Sequence, residues 1–193
     1  MATYLAPIEK PRSLLLKLAY FFMRRMFGKV STPIAVFSAR MPTAFLTYYG
    51  KVSRLDNKLK LPKPTAVLVR ERVASINGCL FCLDATRFYA TKKSPDVLPK
   101  LDALADYKTS PLFSDAERAA LDYVSELVQH RTVSPGTFAE LSRHYSEREI
   151  CDIVWLVASE HLYNITNIGL GIGSDGMCEA RSPRDATAAA QSS

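Results

Sequence analysis

Residues Pro64 to Lys93 read PTAVLVRERVASINGCLFCLDATRFYATKK, two helical patterns separated by one stop. Pro64 suits the first turn of a helix, where its missing N–H costs nothing, and apolar residues at helical spacing carry that pattern to Asn77. Asn77-Gly78 is a helix stop, and LDATRFYATKK reads as the next helix. Cys79 and Cys82 therefore fall in its first turn, on one face. Backbone N–H groups and the helix dipole favour a thiolate there, which is the reactive form of cysteine. The spacing also lets the oxidised pair close a disulfide. On these residues alone three readings stand. The pair is a reversible dithiol, one sulfur attacking and the other resolving the adduct; or two inert cysteines packing as small hydrophobes; or half of a zinc site with Cys151 and Cys178, which lack paired ligand spacing.

The rest of the chain is punctuated in the same way. A capping residue followed by proline marks helix starts at Thr32-Pro33, Ser94-Pro95 and Ser134-Pro135, and Pro42 begins another. Ser114 with Glu117 and Ser146 with Glu149 read as capping boxes, each leading into apolar residues at helical spacing. No stretch alternates as a strand. About eight helices with short links and no sheet make the fold all-α. Residues 1–60 form a basic N-terminal helical region that packs on the core or on another subunit, and 61–180 form the main helical domain. Residues 181–193, rich in Ala and Ser, are a mobile tail.

The net charge of +6 is unevenly placed: residues 1–60 carry 11 Lys and Arg against Glu9 and Asp56, a net +9, and the remainder carries 14 against 17, a net −3. Basic residues interleaved with large apolar ones, without zinc-finger spacing or an RNA-binding signature, argue against nucleic acid. Four cysteines in 193 residues are no disulfide scaffold, so a reducing, cytoplasmic setting fits. The run SLLLKLAYFFMRRMFG, Ser13–Gly28, is too short to span a bilayer and too interrupted by Lys17 for a signal peptide. As a helix it sets a polar stripe of Ser13, Lys17, Tyr20 and Arg24 against an apolar surface of Leu14, Leu15, Leu18, Phe22 and Met26. Such a surface needs covering by the domain, by another subunit or, through residues 13–29, by an anionic membrane surface.

INGCLFC, Ile76–Cys82, resembles the motif of the carboxymuconolactone decarboxylase and alkyl hydroperoxidase D superfamily, compact all-helical proteins with Cys-x-x-Cys at the start of a core helix. The resemblance covers roughly residues 60–178, and the later stretch EHLYNITNIGLGIGSDGMCE is similar to the C-terminal part of many members. It implies a thiol peroxidase or thiol-disulfide oxidoreductase, with Cys82 attacking a peroxide and Cys79 resolving the sulfenic acid as a disulfide. It also implies a homo-oligomer, since members commonly form dimers, trimers or hexamers. No cofactor and no metal enter the reading.

The chain departs from the family where its peroxidases keep a proton relay. They carry a His four residues after the second cysteine and a Glu twelve before the first. Thr86 and Val67 stand there instead, and a threonine hydroxyl is no base near neutral pH. Glu71, one turn after Val67, is the candidate replacement carboxylate, with Asp84 or Arg87 nearer the sulfurs. His161, in line with Ile150, Val154 and Val157, is the candidate that reaches the pair from across the core; its duller role is a core histidine. Two functional classes follow: an oxidoreductase reducing a small peroxide or other electrophile and regenerated by a thiol reductant, or a non-catalytic scaffold or binding protein of the same fold that has lost the relay and attaches to a partner or membrane surface through its basic N-terminal helices.

Overall fold

The computed structural model describes residues 3–44, 50–56 and 58–178, leaving out the side chain of Met26. The expected tail at 181–193 lies outside the described residues. Helices follow in the order α1 (Leu14–Phe27), α2 (Pro42–Ala44), α3 (Gly50–Asp56), α4 (Lys63–Asn77), α5 (Leu80–Lys93), α6 (Leu98–Asp102), α7 (Asp115–His130), α8 (Pro135–His144) and α9 (Glu147–Gly169). A π-helical turn at Ile34–Ser38 and 3₁₀ turns at Pro95–Val97 and Leu104–Asp106 lie between them, and no strand occurs among the described residues. The all-α architecture is the one expected.

The punctuation residues act as their chemistry dictates. Ser114 and Ser146 each accept the backbone N–H of the third helical residue while Glu117 and Glu149 reach back, so both capping boxes are closed. Ser134 caps α8 through Thr137 N–H at 3.2 Å. Ser94 makes no side-chain cap, and only a 3₁₀ turn follows it, at Pro95–Val97.

Helix α4 is the axis of the molecule. It packs against α9, α7 and α5, which is why its apolar residues run round much of its circumference. Val69 and Val73 join Val124, Ile153 and Leu156 in the main core, while Leu68 faces a second cluster with Leu101, Tyr107 and Leu121. Gly78 ends α4 in the left-handed conformation, φ 72°, with its N–H bonded back to the carbonyls of Ala74 and Ser75. A side chain there would be strained. The chain reverses at once, and Cys79 N-caps α5.

The N-terminal region is tied to the end of α9 as well as to itself. Ile8 N–H bonds the Ala35 carbonyl at 2.9 Å, and Tyr4 N–H bonds the Leu170 carbonyl at 3.1 Å. On α1 the inward residues are Leu16 and Tyr20, at 0% and 3% exposure. Tyr20, on the polar stripe by its spacing, turns in, and its hydroxyl donates to the Ile8 carbonyl at 2.8 Å. Leu14, Leu15, Leu18 and Phe22 from the apolar surface, with Phe21, stay exposed in the single chain. No helix among the described residues is long and apolar enough to cross a membrane.

Candidate functional site

The two cysteines are set by the α4–α5 reversal. Cys79 Sγ accepts the Cys82 N–H at 3.4 Å, a sulfur serving as the cap of α5, and the two sulfurs lie at disulfide-bonding distance with Cα atoms 5.3 Å apart. Both are buried, at 1% and 5% exposure. From α9, Asn167 Nδ2 donates to Cys82 Sγ at 3.5 Å and to Cys79 Sγ at 3.8 Å. An amide donor aimed at sulfur favours the anionic form of whichever thiol is ionised.

A cleft of about 960 Å³ opens beside the pair, and Cys82 lines it while Cys79 does not. One wall is the N-terminal region, through Met23, Phe27, Pro33 and Phe37; the other is built by α4, α5 and α9. The helical phase explains which residues face in. On α5 these include Phe81, Cys82, Ala85, Thr86, Phe88 and Tyr89, and on α4 they are Lys63, Ala66, Val67 and Arg70. Val67 and Thr86, which stand where the relay was expected, therefore both look onto the cleft.

Glu71 is not brought there. It lies one position past the cleft face of α4, and Arg87 Nε donates to its Oε1 at 2.8 Å while also gripping Asp102 at 2.7 Å. Burial pushes the Glu71 carboxyl above its ordinary range, against the pull of Arg87, and its Oε2 is buried without a hydrogen-bond partner. Asp84 also has other work. It accepts the N–H groups of Met177 and Cys178, at 2.8 and 3.0 Å, and the Ser174 hydroxyl at 2.9 Å.

The expectation that His161 reaches the pair is corrected. Its Nδ1–H donates to the Val157 carbonyl at 3.0 Å and its Nε2 accepts from Arg131 beyond the end of α7. Burial lowers its pKa, and the charge of Arg131 lowers it further. The reason is again phase: Glu160, Asn164 and Asn167, at i, i+4 and i+7, share the face turned to α4 and the cysteines, and His161 is one step off it. That polar stripe was missed. Its sequence signal is three polar residues at helical spacing within an otherwise apolar helix.

The stripe ends in an ion-pair network. Glu160 Oε1 accepts from Arg70, whose other guanidinium nitrogen lies 2.8 Å from Asp56. Trp155 Nε1 donates to Asp56 at 2.7 Å, and Asn164 links Glu160 to Asn77 through bonds of 3.4 and 2.9 Å. Asp56, Arg70 and Glu160 all line the cleft. Among the described residues no group of three or more His, Cys, Asp or Glu side chains could hold a metal ion. Cys151 and Cys178 are both free and exposed, and burial raises the Cys178 thiol to about 11, with Asp84 beside it.

No family model matches the chain. The uncharacterised protein YnjA of Escherichia coli is 31% identical over 176 residues, which are 90% of this chain and 95% of YnjA. An uncharacterised peroxidase-related protein of Ralstonia eutropha, an alkylhydroperoxidase AhpD core, superposes with a TM-score of 0.67 at 19% identity, over 84% of this chain and 86% of that one. The chain belongs to the same family as YnjA and has the alkyl hydroperoxidase D-like fold. The debrominase Bmp8, in a Cys-to-Ala variant bound to 2,3,4-tribromopyrrole, shares this alkyl hydroperoxidase D-like fold with a TM-score of 0.76 at 20% identity, over 93% of this chain and 96% of Bmp8. At the two positions where the resemblance led one to expect relay residues, this chain turns Val67 and Thr86 to its cleft.

Proposed function

We propose that the protein is a thiol-disulfide oxidoreductase that reduces a peroxide at Cys82. The observation that carries the reading is the asymmetry of the pair: Cys82 lines the cleft, while Cys79 is buried behind it within disulfide reach. The Cys82 thiolate attacks the outer peroxide oxygen, the O–O bond breaks, and the leaving alkoxide takes a proton to depart as the alcohol. Cys79 thiol then attacks the sulfenic acid, water leaves, and the disulfide forms. An external dithiol returns both cysteines to the reduced state. The position of Cys79 as N-cap and the Asn167 amide on both sulfurs support thiolate chemistry.

A second reading is favoured by the cleft wall, where Phe27, Phe37, Phe81 and Phe88 offer apolar and aromatic surface suited to a flat ring. In that reading a halogenated aromatic compound loses its halogen as halide, the ring gains a proton, and the two thiols become the disulfide. The likeness to Bmp8 supports it.

The test is the mass of the reduced protein before and after one equivalent of cumene hydroperoxide, with peptide mapping. Loss of a pair of hydrogens confined to Cys79 and Cys82, abolished in Cys82→Ser, is the expected result. An unchanged mass with cumene hydroperoxide, and a changed one with a bromopyrrole, selects the second reading. No change with either leaves a non-catalytic scaffold.

A further inference from the structure

The cleft has two chemically different ends. One is the dithiol end, where Cys82 and Asn167 meet. The other is the ionic group of Asp56, Arg70 and Glu160, contributed by α3, α4 and α9. Glu160 and Asn167 are seven residues apart on α9, about 10 Å along the axis. The wall between them is largely apolar, with Val67 and Ala66 on the α4 side.

The ionic end is rich in acceptors. One guanidinium serves two carboxylates, and each carboxylate can accept more hydrogen bonds than it receives. Asp56 receives Arg70 and Trp155; Glu160 receives Arg70 and, at 3.4 Å, Asn164. The groups facing Glu160 are Arg70 and, further off, Glu71 from α4, Asp56 from α3 and Asn164 from its own helix. Burial raises the Glu160 pKa and Asp56 adds to it, against the opposing pull of Arg70. Hydrogen peroxide bound at Cys82 would leave this end of the cleft without a role.

We infer that the Asp56–Arg70–Glu160 group is the second pole of the substrate site, and that the substrate is an organic electrophile with an apolar, ring-sized body and a hydrogen-bond-donating O–H or N–H. The reactive atom lies at Cys82 and the donor meets the Glu160 carboxylate. This deepens the proposed function, on which it rests for the identity of the reacting end. Removing the donor from a ligand leaves a buried carboxylate facing an apolar group, and that mismatch is the basis of selectivity.

The test uses unreactive ligands on the oxidised protein, so it needs no thiol chemistry. 4-Ethylphenol and its methyl ether, 4-ethylanisole, have nearly the same shape and differ in the donor. Trp155 is the chain's single tryptophan and is bonded to Asp56, so its emission reports on this pole. The expected result is that the phenol binds at least ten-fold more tightly than the ether, in keeping with a hydrogen bond to a charged group. In Glu160→Gln the ratio is expected to fall to about three-fold or less. Equal affinities in the wild type, no binding of either ligand, or an unchanged ratio in a folded Glu160→Gln protein overturns the inference. The wild-type comparison decides even where the variant does not fold. A protein that discriminates the two ligands but leaves hydroperoxide untouched keeps the pole and loses the peroxidase reading.

Discussion

Asp84 shows how one side chain couples the cysteine helix to the mouth of the cleft. It sits two residues after Cys82 on α5 and holds the turn 174–178 through two backbone N–H groups and a hydroxyl. The next residue in that turn, Asp175, accepts Thr32 N–H at 2.9 Å and pairs with Lys29 at 3.7 Å, tying the N-terminal wall to the same loop. Burial would raise the Asp84 carboxyl, but these hydrogen bonds outweigh it and hold the pKa below its ordinary 3.8. A depressed carboxylate stabilises the fold fully above its unfolded pKa, and the contribution fades as pH falls through the lower, folded value. Asp84→Asn is therefore expected to cost about 1–3 kcal/mol at neutral pH, measured by urea unfolding. It should also lose part of the wild-type fall in stability below pH ~4. A wild-type stability curve that is flat in that range and superposes on the variant's contradicts this.

At the scale of the element, α9 does three jobs along its length. Its N-terminus is closed by the Ser146–Glu149 box, its middle presents Glu160 to Arg70, and its last turns bring Asn167 to the sulfurs. Removing the box by Ser146→Ala should cost about 1 kcal/mol. That loss should appear in the urea midpoint with unchanged reactivity of Cys82 toward iodoacetamide, because the cap lies more than five turns from the sulfurs. A variant that altered alkylation as much as stability would mean that α9 moves as a rigid lever on the site. The boxes were legible from Ser-x-x-Glu alone, since capping is local chemistry. The facing of Glu160 and the turning away of His161 were not. A step of one residue on a helix is about 100°, and only the packing of α9 on α4 says which azimuth is inward.

The whole molecule leaves a surface unexplained by its own core. Leu14 is 80% exposed and Phe21 62%, beside Lys17, Arg24 and Arg25 on the basic α1. A second copy covering this face is the expected reason for so large an apolar surface. Sedimentation should then give a mass that is a multiple of 21.5 kDa, falling to 21.5 kDa in Phe21→Glu. A monomeric wild type that pellets with vesicles of anionic lipid would place the face on a membrane surface instead.

The sequence by itself determined the helical architecture, the α4–α5 reversal at Gly78 and the placing of Cys79 and Cys82 at a helix start. Each of these rests on contacts within a few residues, where spacing, capping and backbone freedom act. It also determined that Thr86 and Val67 stand where the relay residues were expected. Only the tertiary structure decided that Cys82 and not Cys79 faces the cleft, that Arg87 claims Glu71, and that Asp56, Arg70 and Glu160 meet. These residues are separated by up to 104 positions and belong to four helices. Their meeting is a property of how helices pack, and no local pattern encodes it.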